Sequence, residues 1–399
     1  MANVDSRRLF NVCVGRVRVR TGGEEGAVRG ERMHMYTLVP LGGPLGRGDH
    51  ATVWGARRPE GGGTPSMDAY GDTDDIAVRD SSVRAQCTLA LKRRFRRTTS
   101  QGLVEGREIA FYRALHSNGA PESQPHLLRL VDVLYTDPVD PVASPGGVDE
   151  TLVLCPALEG TAREWVERRW FSRGLRVPLS WVGLVMHGVM SALAEVHRLG
   201  WVHRGVTLDN ILVSTESCGD PRVVLGGFGQ VHVSGEGADS SATPAYARSP
   251  EVLTGQCPMA QPAQDVWAAG TVLGHLLLGR PLFPHEAGGR RGAEELRVLE
   301  GIVRAVGLDC TPLLPAAAAS VAVARDASLA SGPSAVVRPS HGLDRLLAPS
   351  HAKDLLLAML SSDPRDRPTA EQCLASPFLC NFSHESKGER QRLIARLIR

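Results

Sequence analysis

No two of the 8 cysteines stand two residues apart, so the chain has neither a zinc-knuckle nor a dithiol redox spacing. Cys13, Cys87, Cys155, Cys218, Cys257, Cys310, Cys373 and Cys380 are scattered, and they read as reduced, buried, small apolar side chains. The first twenty residues lack the apolar core of a secretory leader, which predicts a cytoplasmic or nuclear protein. A dominant charge is also missing. The 45 Lys and Arg are nearly balanced by 43 Asp and Glu, a net charge of +2, so neither nucleic acid nor an anionic membrane is expected as partner. Long apolar runs are short of what a bilayer needs. The uncharged stretch Val266–Gly279 is taken as the longest, and Pro and Gly interrupt other candidates, so no membrane span is expected.

What is present fits a folded protein. Hydrophobic residues make up 42% of the chain and charged ones 22%, which argues against wholesale disorder. A chain of 399 residues has room for two or three compact units.

The first part reads as strands. Val12–Val19 alternates valine with glycine and arginine, Met35–Leu41 is a second candidate, and Gly46–Trp54 reads as a turn between two strands. A further strand ends at Lys92. Between them Arg57–Gln86 holds a triple glycine, Pro65 and five aspartates, the composition of an insertion in a hairpin. From Glu105 the period lengthens, and Glu108, Phe111, Tyr112 and Leu115 fit one helical face. Strands are expected at Leu127–Tyr135 and Thr151–Leu154. Helices are expected at Trp181–Leu199, Asp265–Leu278, Ala293–Val306, Ala352–Met359 and Ala370–Ala375. Thr311–His341 is biased to Ala, Ser and Pro and reads as a second insertion. Strands first and helices second predict two lobes of an α+β protein.

Several short motifs recur in a fixed order. Gly46-Arg47-Gly48-Asp49-His50-Ala51-Thr52-Val53 has glycines where backbone amides could approach phosphates closely, though one such turn in a chain with 43 glycines specifies little. Leu89-Ala90-Leu91-Lys92 ends a strand with a lysine, and Arg107-Glu108-Ile109 lies on the next helix. Then come His203-Arg204, Asp209-Asn210-Ile211, Gly227-Phe228-Gly229, Ser249-Pro250-Glu251, Asp265-Val266-Trp267 and Asp363-Pro364-Arg365-Asp366-Arg367-Pro368.

In that order and at those separations the ensemble resembles the eukaryotic protein kinase domain over roughly Tyr36–Leu379. Leu45–Gly48 and Ser361–Leu379 are most similar to the branch of cyclin-dependent, casein-kinase-2-like and LAMMER kinases. The resemblance implies a bilobal α+β fold: an antiparallel five-stranded N-lobe with one helix, a hinge near Cys155–Ala157 and a mainly helical C-lobe. The domain plan is a 1–35 extension, an N-lobe over 36–157 with insertion 57–86, a C-lobe over 158–379 with insertion 311–341, and a 380–399 tail. It further implies that Glu251 pairs with Arg367, that Asp265 braces the catalytic-loop backbone, and that His203 and Phe228 belong to the apolar spine. Arg204 would be the residue that docks a phosphorylated activation segment. Ser240, Ser241 and Thr243 lie in that segment and read as a solvated loop.

Departures from the family pattern carry the functional expectation. Where the catalytic loop has an aspartate that orients the substrate hydroxyl, this chain has Gly205; where it has a lysine for the transferring phosphoryl group, Thr207; where it has the metal-binding aspartate, Gly227. Phosphoryl transfer rests on positioning and charge stabilisation, and one preorganised group is worth about 10²–10³ in rate. Magnesium wants oxygen ligands, and Asn210 is the one family ligand that remains, so no metal is expected. The expected protein is a pseudokinase, working as a scaffold or allosteric regulator on protein partners. The alternative is an unconventional Ser/Thr kinase in which Asp209 or Asp220 stands in as base.

Residues that would hold ATP or ADP without magnesium remain: Gly46, Gly48, Val53, Ala90, Lys92, Glu108, the gatekeeper-like Leu154, and Asn210. Lys92 and Glu108 equally fit an ion pair that fixes the helix. Pro156 removes one hinge donor. His197 and His275, on helices, read as packing residues rather than ligands. The tail sets Leu393, Ile394, Leu397 and Ile398 on one side and Arg390, Arg392, Arg396 and Arg399 elsewhere, a basic amphipathic segment expected to pack on the C-lobe or to dock on a partner.

Overall fold

A computed structural model describes residues 17–19, 32–34, 37–38, 46–47, 51–57, 89–94, 101–118, 124–135, 151–156, 158–215, 221–238, 243–283, 291–306, 343, 347–348, 350–380 and 382. The chain divides into two units, Met1–Gly106 with Leu128–Glu159, and Arg107–Leu127 with Gly160–Arg399.

The first unit is one antiparallel sheet. Its strands are β1 (Val17–Val19), β2 (Arg32–His34), β3 (Thr37–Leu38), β4 (Gly46–Arg47), β5 (Ala51–Arg57), β6 (Leu89–Arg94), β7 (Asp132–Tyr135) and β8 (Thr151–Pro156). The order is β2-β1-β7-β8-β6-β5-β3, with β4 also on β5. The expected five strands are recovered with the first in two pieces, since β3 and β4 both pair with β5. Two more come from the N-terminal extension, because Arg18 pairs with Tyr135 at the edge of β7 and carries β2 with it. The strand expected at Thr151–Leu154 runs on to Pro156, which is tolerated because it is the last residue of its strand, opposite Leu89. The expected insertions 57–86 and 311–341 lie, apart from Arg57, outside the described residues.

Helix α1 (Gln101–Ser117) starts in the first unit and from Arg107 belongs to the second. The reason is its aromatic face. Phe111 and Tyr112 are buried, with ring centroids 4.6 and 5.4 Å from that of Phe228.

In the second unit, α2 (Ala162–Arg169) was not foreseen, although Thr161 and Glu164 form the reciprocal capping box that marks a helix start. Next come α3 (Leu179–Arg198), β9 (Trp201–Val202), β10 (Ile211–Thr215), β11 (Pro221–Leu225), β12 (His232–Val233), α4 (Pro250–Leu253), α5 (Pro262–Leu278), α6 (Arg291–Val306), α7 (His351–Met359) and α8 (Ala370–Leu374). All five helices expected there form within a few residues of their expected bounds. The expectation that Val266–Gly279 is the longest uncharged apolar run is corrected, since Val177–Ala194 is longer. Helix α3, 20 residues with mean hydropathy 1.4, is long and apolar enough to cross a membrane. Its apolar faces are used in packing: Trp181, Met186, Met190 and Leu193 are buried, and the Phe382 ring lies directly on Gly183, leaving no room for a side chain there.

Candidate functional site

The first unit lines up part of the expected nucleotide set. Gly46 is the register partner of Val53, and Val53 of Lys92, across three adjacent strands. Ala90, two residues before Lys92, pairs with Cys155. Alternation along a strand therefore puts Gly46, Val53, Ala90, Lys92 and Cys155 on rows of one sheet face. Leu154 pairs with Leu91 and belongs to the alternate rows, so the register gives the position beside Ala90 to Cys155, which is buried. Sequence alone held no signal for this, since a one-residue shift of register inverts the assignment. Gly48 lies outside the described residues. Glu108 is buried on α1 in the second unit.

The second unit holds the loop between β9 and β10, from His203 to Asn210. Its backbone is bent around Asp265 of α5, which is fully buried. The carboxylate accepts the N–H groups of His203 and Arg204, each at 2.7 Å, and a hydrogen bond with His197 Nε2 at 2.9 Å. Burial by itself would raise the Asp265 pKa, but the His197 bond and the backbone donors hold it below the ordinary carboxylate value. His197, expected to be a packing residue, thus supports the brace; nothing in the sequence links it to a partner 68 residues away. Arg204 sits at φ 59°, a conformation that costs energy for a non-glycine residue. It is held there at both ends, by Asp265 on its N–H and by the Thr243 hydroxyl, which donates to its carbonyl at 2.5 Å.

His203 is fully buried and its ring has both nitrogens committed. Nδ1 accepts the Gly205 N–H at 3.1 Å, so Nε2 carries the proton and donates to the Gly226 carbonyl at 2.8 Å. Burial holds this imidazole below the usual histidine range, outweighing the attraction of Asp265. Its ring also packs 5.0 Å from Phe228, joining the Phe111–Tyr112 cluster. The Arg204 guanidinium turns to His232. The Gln230 carbonyl fixes the His232 proton on Nδ1, leaving Nε2 to accept from Arg204 Nη1 at 3.3 Å. Burial again lowers the His232 pKa, with the Arg204 charge adding to it.

Gly205, Gly227 and Asn210 meet at one point. The Asn210 side-chain Nδ2 donates to the Gly205 carbonyl at 2.7 Å. Gly227 has φ 80°, and a β-carbon placed on it would lie 2.3 Å from the Asn210 amide carbon and 2.4 Å from its Oδ1. The same addition at Gly205 meets nothing closer than 3.3 Å. The donor set for a divalent cation does not fit: one neutral amide remains, and it fills the space of the missing carboxylate. Thr207 is buried. Asp209, which precedes Asn210 in the chain, is engaged by Arg163 Nε at 2.7 Å. Tyr246 lies against the same pair, its phenol pKa pushed up by burial and next by Asp209.

Around this loop the scaffold is closely tied. Glu251 and Arg367 form a buried two-pronged pair, Nη1 to Oε1 at 2.7 Å and Nη2 to Oε2 at 2.8 Å. Arg367 also donates to the carbonyls of Ser361, Ala263 and Ser362, and its guanidinium lies 4.9 Å from the Trp267 ring centroid. Thr243, expected in a solvated loop, is instead buried on the Arg204 carbonyl; Ser240 and Ser241 lie outside the described residues.

Comparison with known proteins agrees with this geometry. The family model for the protein kinase domain matches residues 123–379, well over half of the chain. The protein kinase gsk3 of Schizosaccharomyces pombe is 29% identical over 212 residues, covering 53% of this chain and 51% of the relative. The match thus spans about half the length of that curated relative. A buried loop braced by Asp265, an edge-to-face Phe228–His203 contact, a Glu251–Arg367 pair and the family match lead to one conclusion: the chain belongs to the protein kinase domain family.

Proposed function

We propose that this protein is a pseudokinase that acts on protein partners as a scaffold or allosteric regulator. The observation that carries the reading is the placement of Asn210: its amide is bonded to Gly205 and occupies the space above Gly227. The loop satisfies itself in a form with no base, no phosphoryl-neutralising cation and no charged metal ligand. Each such group is worth about 10²–10³ in rate, and three are missing together. Asp209 gives no support to a substitute base, because Arg163 holds it. The test is phosphate transfer from radiolabelled ATP by the purified full chain, with and without magnesium, to itself and to a generic protein substrate. No incorporation above a no-protein control is expected; incorporation that Lys92→Ala abolishes would establish the unconventional kinase instead.

A second reading concerns nucleotide. The alignment of Gly46, Val53, Ala90 and Lys92 on one sheet face favours ATP or ADP bound without magnesium, with Lys92 the cation that meets the phosphates. Cys155 rather than Leu154 would then stand beside Ala90 at the base. Asn210 gives its Nδ2 to the Gly205 carbonyl, which leaves its Oδ1 as the acceptor that would face a bound phosphate's cation.

A further inference from the structure

The loop between α2 and α3 is pinned at its base and exposed at its tip. Trp170 and Trp181, buried at its two ends, pack with ring centroids 5.1 Å apart. Phe171 stacks parallel to His275 at 5.7 Å and lies beside Gly279. Gly174 turns the chain at φ 65°, and the Leu175 N–H donates to the Trp170 carbonyl at 2.9 Å. Between these anchors Val177 is buried, and other side chains face outward. Arg173 and Arg176 are exposed, and Leu175 and Leu179 are each 53% exposed. Arg280, which follows Gly279 and so lies near Phe171, is exposed too. The sequence has no Asp or Glu between Glu167 and Glu195. Among the described residues no carboxylate pairs with Arg173, Arg176 or Arg280.

We propose that this loop is a docking surface for a short acidic segment of a partner protein, whose aliphatic side chains cover Leu175 and Leu179 while its carboxylates meet the three guanidinium groups. Guanidinium forks pair with carboxylates in two-pronged geometry, and the two exposed leucines of the same loop offer apolar area to the same partner. Charge selects the occupant. The chain's own tail leaves from Phe382, seated on Gly183 one helical turn after Leu179, but its Arg390, Arg392, Arg396 and Arg399 repeat the sign of the surface. A nucleic acid would leave the leucines uncovered. The inference stands apart from the loss of catalysis and would hold for an active enzyme as well.

Selection of a random library of peptides about twelve residues long on the immobilised full chain tests it. Peptides rich in Asp, Glu and aliphatic residues are expected. Their affinity should fall about tenfold or more in the double variant Arg173→Glu/Arg176→Glu, and comparably in Leu175→Ser/Leu179→Ser, with the thermal midpoint unchanged in both. Selected peptides without acidic bias, or binding that neither variant weakens, overturn the proposal. Binding seen only after removal of residues 383–399 also overturns it, in favour of the tail. So does co-sedimentation with phosphatidylserine vesicles that depends on Arg173 and Arg176 and that the peptides fail to compete.

Discussion

The side-chain amide of Asn210 stands where a side chain at Gly227 would have to go, and its 2.7 Å bond to the Gly205 carbonyl keeps it there. Two of the three positions that depart from the family pattern are thus one structural unit. The absence of a side chain at Gly227 makes room for the amide, and the amide closes the loop at Gly205.

That coupling predicts unequal costs for restoring side chains. Gly227→Ala should lower stability by about 1–3 kcal/mol, from the left-handed backbone and the clash with Asn210. Gly205→Ala, with its nearest neighbour at 3.3 Å, should cost about 1 kcal/mol or less. Combining Asn210→Ala with Gly227→Ala should cost less than the sum of the two. Urea unfolding of the four variants decides it; equal costs at the two glycines would disprove the coupling.

A larger effect is expected at the Glu251–Arg367 pair. Glu251→Ala leaves the Arg367 guanidinium buried with two of its five hydrogen bonds, and its counter-charge, gone, a loss of about 3–5 kcal/mol. Arg367→Lys should recover little of it, since an ammonium cannot span both oxygens and the carbonyls of Ser361 and Ala263. Thermal midpoints would check this, and a lysine variant as stable as the wild type would refute it.

Acid should weaken the fold through His203 before it reaches the carboxylates. The folded pKa of this imidazole is lowered by burial, so the unfolded chain binds its proton first. Stability is therefore flat above the unfolded histidine value, about 6.5, and falls as pH drops below it towards the folded pKa. His232 has the same sign and adds to the slope. Asp265, with its folded pKa lowered, adds a second loss only below about pH 4, as its carboxylate takes up a proton. Midpoints measured from pH 7.5 to 5 should decline, and His203→Gln should flatten that decline while lowering stability at pH 7.5. An unchanged slope in that variant would assign the effect elsewhere.

Nucleotide binding without a divalent ion is checked by thermal unfolding with ATP or ADP, with and without magnesium, on wild type and Lys92→Ala. Ligand at a hundredfold over its dissociation constant stabilises by about 2.7 kcal/mol, a rise of about 5 °C. A rise that needs Lys92 and not magnesium supports the second reading above. One that requires magnesium would contradict the poor donor set at Asn210 and Gly227, and no rise would leave interaction as the sole function.

Motif order and periodicity determined a good deal of this protein. The alternation near Val17, the helical spacing of Phe111, Tyr112 and Leu115, and Arg367 within its motif were legible because they are local patterns or fixed separations along the chain. So were the three missing groups at Gly205, Thr207 and Gly227, since a side chain that is not encoded cannot be supplied by folding. Tertiary structure decided what those vacancies became. Whether Leu154 or Cys155 stands beside Ala90 is a matter of strand register, and register is a long-range choice. That His197 reaches Asp265, that Arg204 turns to His232, and that Arg163 engages Asp209 all join residues 28 to 68 positions apart. Such pairs carry no local signature, because burial and hydrogen-bond satisfaction are settled only when the elements that bear them have packed.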